Sequence, residues 1–170
     1  MWKLRLLLVA CSLASAGALK AQRTPRSVDL RGTWELVSSR DLKTGTVTPA
    51  ERTEWMQFTR THFSVTAMNP GRKSVTSAQY DSLSPEERVK VDYSRVFDDK
   101  GKQVFAARAG TWSLVGNQLH QIASMAIYAP IIGVDRGLKI TRLNKTSLVL
   151  ELPSFTSPDL RTELTYRRID

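Results

Sequence analysis

The sequence contains very little of the two residue types on which most metal and thiol chemistry depends. Of its 170 residues, one is a cysteine, Cys11, and two are histidines, His62 and His120. The histidines are 58 positions apart and show no spacing of a ligand cluster, so we predict no metal centre. Cys11 lies in a segment that we expect to be removed during export. A mature chain without cysteine excludes disulfides, thiolate catalysis and cysteine-ligated metals.

A hydrophobic run long enough to span a bilayer is also absent. The uncharged N-terminal stretch Leu6–Leu19 has 14 residues, and a spanning helix needs about 20. Lys3 and Arg5 precede this stretch, and small residues follow at the distance that signal peptidase requires. The sequence therefore predicts a signal peptide at 1–21 and a secreted or periplasmic protein that begins at Gln22.

A lipid anchor is the alternative outcome of this export signal. Leu8–Cys11 has the form of a bacterial lipobox, in which the cysteine would be acylated. The apolar stretch before Cys11 has only about five residues, whereas roughly 7 to 15 is usual. An ordinary signal peptide with an incidental cysteine is therefore favoured.

Acidic residues are fewer than basic ones, 16 against 25, which gives a formal net charge of +9. Removal of 1–21 deletes three basic residues and no acid, so the mature chain of 149 residues carries +6. That length predicts a single domain, at 30–170. We expect the polar segment 22–29, which contains Pro25, to be a flexible lead-in.

The basic residues of the mature chain are scattered, which is typical of a solvated cationic surface rather than of a nucleic-acid-binding stripe. They include Arg60, Arg72, Lys73, Arg88, Lys90, Lys100, Lys102, Arg108, Lys139, Arg142, Lys145, Arg161, Arg167 and Arg168. We therefore expect no nucleic-acid partner, and a monomer with weak attraction to anionic envelope surfaces.

The apolar residues of the domain mostly follow a period of two, which is typical of β-strands. The pattern predicts eight strands, at 34–39, 54–59, 62–68, 109–115, 119–128, 137–143, 146–152 and 160–169. Short turns between the late strands indicate that neighbours in sequence pair in space. Eight such strands can close into an antiparallel up-and-down barrel, which removes the exposed edges of a flat sheet.

One helix interrupts the strands, at 84–97. Ser84 is a suitable N-cap, Pro85 fits the first helical position, and Glu87 stands three residues after the serine, as in a capping box. An apolar face with helical spacing follows, formed by Val89, Tyr93, Val96 and Phe97. The expected fold is therefore all-β, an eight-stranded barrel with one inserted helix.

The start of the first strand, Gly32-Thr33-Trp34, resembles the Gly-x-Trp signature of lipocalins. The resemblance implies that the Trp34 indole lies across the closed end of the barrel and that a basic residue of the last strand packs over it. Arg168, in phase with Leu164 and Tyr166, is the candidate. A cation over an indole face contributes on the order of 0.5 to 2 kcal/mol.

An ordered series of segments is similar to the bacterial lipocalin-like domain family, a calycin-type family that is mostly uncharacterised. The segments are GTWELVSS, LSPEERVKVDYSRVF, AGTWSLVGNQL, APIIG and LTYRRI. They cover nearly all of the predicted mature chain. Gln121 and Ile122 stand where members often carry adjacent histidines, so no function that needs an imidazole pair is implied.

These features favour a barrel that binds a small apolar or amphipathic molecule in its interior, without a cofactor. Burial of apolar ligand surface supplies roughly 25 cal/mol per Å² before association costs. We expect the lining to come from the inward phase of the strands, at Phe63, Val65, Met125, Leu138, Ile140, Leu150 and Leu164.

Two other classes of function stay open. A cofactor-free isomerase, cyclase or lyase would need an imidazole or phenol inside the barrel, for which the candidates are His62, His120, Tyr93 and Tyr128. A barrel whose interior is completely filled would instead have a structural role or act through its surface. An open apolar pocket would support binding, and an inward polar cluster would support catalysis.

Overall fold

The computed structural model describes residues 24–70, 75–98, 100–101, 103–153 and 161–170. The predicted signal peptide, including Cys11, lies outside these residues. In the part of the chain that is described, no helix is both long and apolar enough to cross a membrane. The end of the predicted lead-in, 22–29, overlaps a short helix, α1 (Ser27–Leu30), and Leu30 is completely buried.

The described residues form nine strands, and every strand pairing is antiparallel. In chain order the strands are β1 (Gly32–Asp41), β2 (Val47–Pro49), β3 (Thr53–Phe58), β4 (His62–Met68), β5 (Phe105–Val115), β6 (Gln118–Ala126), β7 (Asp135–Leu143), β8 (Ser147–Pro153) and β9 (Arg161–Arg168). From β3 to β9 each strand pairs with the next in sequence, and β9 pairs with β1, which closes the sheet.

β2 and β3 both pair with the same edge of β1, so together they occupy one of eight positions around the barrel. β2 pairs with Ser38–Arg40, and β3 pairs with Gly32–Glu35. The predicted eight-stranded up-and-down barrel is therefore confirmed. This is also the architecture that the resemblance to lipocalin-like proteins implies.

The strands bury every second side chain, as the hydrophobic period predicts. In β3 the buried residues are Glu54, Met56 and Phe58, and in β4 they are Phe63, Val65 and Ala67. Three pairings shift register within the described strands: β1 with β9, β5 with β6, and β7 with β8. Each shift is an irregularity of the β-bulge type, which changes the face to which the following residues point.

The predicted inserted helix is present as α3 (Pro85–Ser94) and is capped as expected. The Ser84 backbone N–H donates to Glu87 Oε2 at 2.8 Å, and the Glu87 backbone N–H donates to Ser84 Oγ at 3.3 Å. α3 ends three residues earlier than the predicted limit of 97, because Phe97 turns back to bridge with Gln103.

The apolar face predicted for this helix is not a buried face. Val89 is 69% exposed and Tyr93 is 56% exposed, and no residue of α3 is buried. The short helix α2 (Ser77–Asp81), which was not predicted, precedes α3 and has its own capping box between Thr76 and Gln79. A single-turn 3₁₀ helix at Ala129–Ile131 follows β6.

Candidate functional site

Trp34 lies across one end of the barrel. Its side chain is fully buried, and the indole Nε1 donates a hydrogen bond to the Leu30 carbonyl of α1 at 2.8 Å. The guanidinium carbon of Arg168 lies 4.2 Å from the centre of the indole ring. This arrangement forms a floor, and the three residues Gly32, Trp34 and Arg168 predicted for it are brought together.

Gly32 makes the approach of Arg168 possible. Its φ of +123° is one that side-chain-bearing residues rarely adopt, and a Cβ at this position would lie 2.3 Å from Arg168 Nη1. The guanidinium donates to the carbonyl of Asp29 at 2.7 Å and to that of Lys145 at 2.9 Å. Arg168 thus binds α1 and the β7–β8 turn to the floor.

The half of the barrel next to the floor is filled by packed side chains. Phe58 and Trp112 meet edge to face with ring centres 5.3 Å apart, and Leu119 and Leu148 are completely buried. Ile140, which was predicted to line a ligand site, belongs to this packed core and is 2% exposed.

The opposite half of the barrel contains a cavity of about 510 Å³, which we call the upper cavity. Its described lining residues are Arg52, Glu54, Val65, Ala67, Gln103, Ala106, Ala107, Arg108, Tyr128, Pro130, Ile131, Val134 and Arg136. Two smaller spaces, of about 50 and 30 Å³, continue toward Gln121 and toward Tyr166. Arg108 and Arg136 line all three spaces, so they stand where the spaces meet.

A buried carboxylate forms one side of this region. The side chain of Glu54 is only 4% exposed and forms an ion pair with Arg52. The Tyr166 hydroxyl donates to Glu54 Oε1 at 2.6 Å. Complete burial and the adjacent charge of Glu54 raise the pKa of Tyr166 well above its ordinary value, so the phenol is a donor at neutral pH.

Two arginines form the other side. Arg108 lies in phase with Gly110 and Trp112 on β5, and Arg136 lies in phase with Leu138 on β7. Burial lowers the pKa of Arg108. The pKa of Arg136 is lowered to about 10, first by burial and next by the positive charge of Arg108. Both groups are cationic at neutral pH.

The polar atoms around these arginines are incompletely paired. Arg108 Nε is buried and has no hydrogen-bond partner among the described residues. Gln121 is 1% exposed, its Nε2 reaches only the weak acceptor Met56 Sδ at 3.6 Å, and its Oε1 is likewise without a partner in the described structure. Buried polar groups are nearly always paired, so such atoms indicate a place where another polar group can bind.

A second hollow, of about 580 Å³, lies outside the barrel beside the floor. It is bounded by the lead-in, by the β7–β8 turn and by Arg168. The Arg168 guanidinium already donates to backbone carbonyls there. This hollow therefore offers less unpaired polar chemistry than the upper cavity.

The candidate catalytic residues are not gathered at one site. His62 is exposed beside Thr61, with Nδ1 2.9 Å from Thr61 Oγ1, and His120 pairs at the surface with Asp135. Tyr93 is exposed and stacks on Phe97. Tyr128 alone among these four lines the upper cavity, although it is 54% exposed. In the described part of the chain, no group of three or more metal-binding side chains is present.

Most of the residues predicted to line the interior do point inward. Val65 faces the upper cavity, Phe63 faces the space toward Gln121, and the space toward Tyr166 is lined by Leu138, Leu150 and Leu164. The inward position predicted for Met125 is wrong, because its side chain is 65% exposed. Ala123 pairs with Gly110 and Met125 pairs with Ala109, so Ser124 is an extra residue that reverses the alternation.

The polar residues of the upper cavity were missed by sequence reasoning. Arg108 was assigned to a solvated surface, but it lines the interior and its burial lowers its pKa. The sequence does carry a signal, which is the face of the strand to which each residue points. Arg136 shares a face of β7 with Leu138 and Ile140, and Glu54 shares a face of β3 with Met56 and Phe58. A charged residue in the apolar phase of a strand indicates a charged group inside the barrel.

No protein-family model matches the chain, and no curated protein matches it. Solved structures with a similar course include a lipocalin-like protein from Bacteroides uniformis ATCC 8492, which is 19% identical over 83% of this chain and 99% of that one, with a TM-score of 0.48. A redesigned β-barrel is 10% identical over 88% and 100% of the two chains, with a TM-score of 0.43.

A biogenic amine-binding protein is 6% identical over 87% of this chain and 70% of that one, with a TM-score of 0.42. These comparisons identify no ligand for the present chain. Its architecture follows from its own strand pairing.

Proposed function

We propose that this chain is an exported binding protein whose barrel holds a small amphipathic molecule in the upper cavity. The observation that carries the proposal is the division of the barrel interior. The half near Trp34 is filled, whereas the other half encloses about 510 Å³, within the range of small-molecule sites.

The lining of the upper cavity supports an amphipathic rather than a purely apolar occupant. Val65, Ala67 and Ile131 offer apolar surface, and Arg108 and Glu54 add polar groups to the lining of the same cavity. Ligand sites commonly combine a mainly apolar lining with a few converging polar groups. Export is supported by the N-terminal charge and apolar stretch of the sequence.

The proposal is tested by a substitution on β4 that places a larger side chain in the upper cavity. Ala67 on β4 is 5% exposed and lines the upper cavity, so Ala67→Phe would occupy part of its volume. Thr66→Phe adds the same ring to the exposed face of the same strand. We expect Ala67→Phe to weaken binding of the neutral dye N-phenylnaphthylamine at least tenfold, measured by fluorescence titration of the mature protein.

The two variants also define the contrary outcomes. Thr66→Phe is expected to bind the dye like the parent, and circular dichroism reports whether each variant retains its sheet content. If the parent does not bind the dye, or if both variants bind it equally well, the upper cavity is not a ligand site.

A cofactor-free enzyme is the second candidate, and the buried Glu54–Tyr166 contact is the observation in its favour. Glu54 accepts a hydrogen bond from Tyr166 on one oxygen and contacts Arg52 with the other. A carboxylate held in this way on both oxygens is better suited to fixing its neighbours than to removing a proton from a substrate. Binding is therefore the function that this geometry supports best.

A further inference from the structure

Building on the proposed binding function, we propose that the occupant of the upper cavity is a neutral amphiphile with a terminal hydroxyl group. The hydroxyl donates a hydrogen bond to Gln121 Oε1 and accepts one from the Arg108 Nε–H. The apolar part of the molecule extends from these two residues along the wall of the upper cavity toward Tyr128.

Gln121 lies where the packed half of the barrel meets the open half. It is only 1% exposed, and its Nε2 lies 3.6 Å from Sδ of Met56, a core residue of β3. β3 and β6 are not neighbours in the sheet, so the glutamine side chain reaches across the interior. Gln121 also lines the space of about 50 Å³ that continues from the upper cavity. A ligand that fills the cavity to its inner end therefore meets this amide.

The contact with Met56 determines which atom of the amide is left for a ligand. A thioether sulfur is an acceptor, although a weak one, so it takes an N–H of Gln121 and not the carbonyl oxygen. Oε1 is then buried and has no hydrogen-bond partner in the described part of the chain. Buried polar atoms are nearly always paired, so this oxygen calls for a donor from the ligand.

Arg108 supplies the complementary atom in the lining of the same space. Its Nε is buried and has no hydrogen-bond partner among the described residues. The Nε of a guanidinium carries a hydrogen and does not accept, so this atom calls for an acceptor. Glu54 is not that acceptor, because its two oxygens take hydrogen bonds from Tyr166 and Arg52.

A hydroxyl is the smallest end group that satisfies both atoms at once. It has one O–H donor for Gln121 Oε1 and lone pairs for the Arg108 Nε–H. A carboxylate offers acceptors only and would leave Oε1 unpaired, whereas an ammonium group offers donors only and would leave Nε unpaired. The volume of about 50 Å³ suits a group of this size rather than a ring.

Apolar residues occupy the path from this position to the outside. Phe63 and Ala123 line the inner space, and Val65 and Pro130 continue the wall in the upper cavity. Tyr128 lies on the lining and is 54% exposed, which places it at the mouth. Burial of an alkyl chain along this path supplies affinity, and the hydroxyl at its inner end supplies selectivity.

The test compares two isomeric probes, decanol and methyl nonyl ether, which contain the same atoms but differ in the O–H donor. Both are titrated against the mature protein with displacement of N-phenylnaphthylamine as the readout, and decanoate and decylammonium serve as charged probes. We expect decanol to bind about tenfold more tightly than the ether, and more tightly than either charged probe. Hydrophobicity alone would favour the ether, which gives up fewer hydrogen bonds to water on burial.

Substitution of Gln121 tests the partner of the hydroxyl hydrogen. Gln121→Leu removes Oε1 and should weaken decanol binding to the level of methyl nonyl ether, while the affinity for the ether does not fall. Gln118→Leu is the matched control, because Gln118 is an exposed glutamine of the same strand, and it should keep the preference for the alcohol. The urea midpoint of unliganded Gln121→Leu should be at or above that of the parent, since the variant removes a buried unpaired carbonyl.

Substitution of Arg108 tests the partner of the hydroxyl oxygen. Arg108→Lys keeps the positive charge and removes the Nε donor. Decanol and methyl nonyl ether both offer an acceptor oxygen, so the affinities of both probes should fall by a similar factor of about three to ten. Arg142→Lys is the control, because Arg142 is exposed on β7, and it should change neither affinity.

The outcomes separate this inference from the function on which it rests. Equal affinities of the parent for decanol and the ether would mean that water pairs the two buried atoms, and tighter binding of decanoate would mean a charged end group. Either result overturns the hydroxyl and leaves the binding function standing. If neither the dye nor any probe binds, both fail.

The Gln121→Leu variant adds two further contrary results. An unchanged preference for decanol in this variant would place the hydroxyl elsewhere and overturn the assignment. Loss of both probes together with a lower urea midpoint would show that Gln121 maintains the cavity rather than selects a hydroxyl.

Discussion

Glu54 shows how a single acidic residue can occupy the interior of an otherwise apolar strand phase. It follows the same alternation as Met56 and Phe58, and it is tolerated there because Tyr166 donates to it across the barrel. The two residues are 112 positions apart in sequence, so the contact exists only in the closed fold. Loss of this hydrogen bond would leave the buried Glu54 carboxylate without the Tyr166 donor.

Tyr166→Phe is therefore expected to lower the free energy of unfolding by about 1 to 3 kcal/mol at pH 7. Urea denaturation followed by circular dichroism measures the change. Tyr128→Phe is the control, since Tyr128 is largely exposed, and it should change the free energy by less than about 0.5 kcal/mol. A Tyr166→Phe variant as stable as the parent would mean that Glu54 is satisfied without the phenol.

The raised pKa of Tyr166 also predicts that the loss of stability in Tyr166→Phe depends on pH. Because the folded-state pKa of Tyr166 is raised, its contribution to stability is fully present below the ordinary tyrosine pKa of 10.0. That contribution is lost as the pH rises above this value and the unfolded phenol ionises. The stability difference between the parent and Tyr166→Phe should thus shrink between pH 10 and 11, whereas a constant difference would contradict the assignment.

At the level of residues, the floor could be anticipated and the upper cavity could not. Gly32, Trp34 and Arg168 belong to a local signature and to the phase of the last strand, so their meeting follows from sequence and family resemblance together. Arg108 and Arg136 come from two non-adjacent strands. Their shared location depends on barrel closure and on bulges, which the hydrophobic period does not specify.

At the level of elements, α3 differs from the amphipathic helix that its spacing predicts. The helix forms because of the Ser84–Glu87 capping box, and its apolar side chains remain largely exposed. Local capping and tertiary packing are thus separate properties of this segment. The sequence specifies the first, whereas the second depends on where the barrel wall lies.

Val89→Lys is accordingly expected to change the free energy of unfolding by less than about 0.5 kcal/mol, because Val89 is 69% exposed. Leu119→Ala on β6, where the side chain is completely buried, should cost about 2 to 5 kcal/mol. Thermal or urea denaturation of the three proteins makes the comparison. A large loss for Val89→Lys would show that this face of the helix is covered in solution.

The eight positions around the barrel and their order were predictable, but the short strand β2 and the strand irregularities were not. Alternation correctly places the eight barrel positions, and the short connections favour the up-and-down order. The extra residue Ser124 in β6 has no mark in the sequence that distinguishes it from an ordinary strand residue. Met125 was therefore predicted to point inward although its side chain is exposed, whereas Ala123, which precedes the extra residue, is buried.

At the level of the whole molecule, the proposed export can be tested on the protein from its native host. We expect export from the native host to leave a soluble protein whose N-terminus is Gln22, with 149 residues. Intact-mass measurement of the periplasmic or secreted fraction checks this. Cys11→Ser should leave the product unchanged, and a membrane-bound, acylated product that disappears in Cys11→Ser would instead establish the lipid anchor.

The pairing of β1 with β9 sets an order of events for biogenesis. Beside the floor, Arg168 donates a hydrogen bond to the Arg31 carbonyl, and Asp170 accepts one from the Thr33 backbone N–H. Both residues come after strands β1 to β8 in the sequence. While the polypeptide is still being synthesised, β1 has no partner on the side where β9 will pair. The ring closes only once β9 has been synthesised, so a chain stalled earlier would present two unpaired edges to chaperones and proteases.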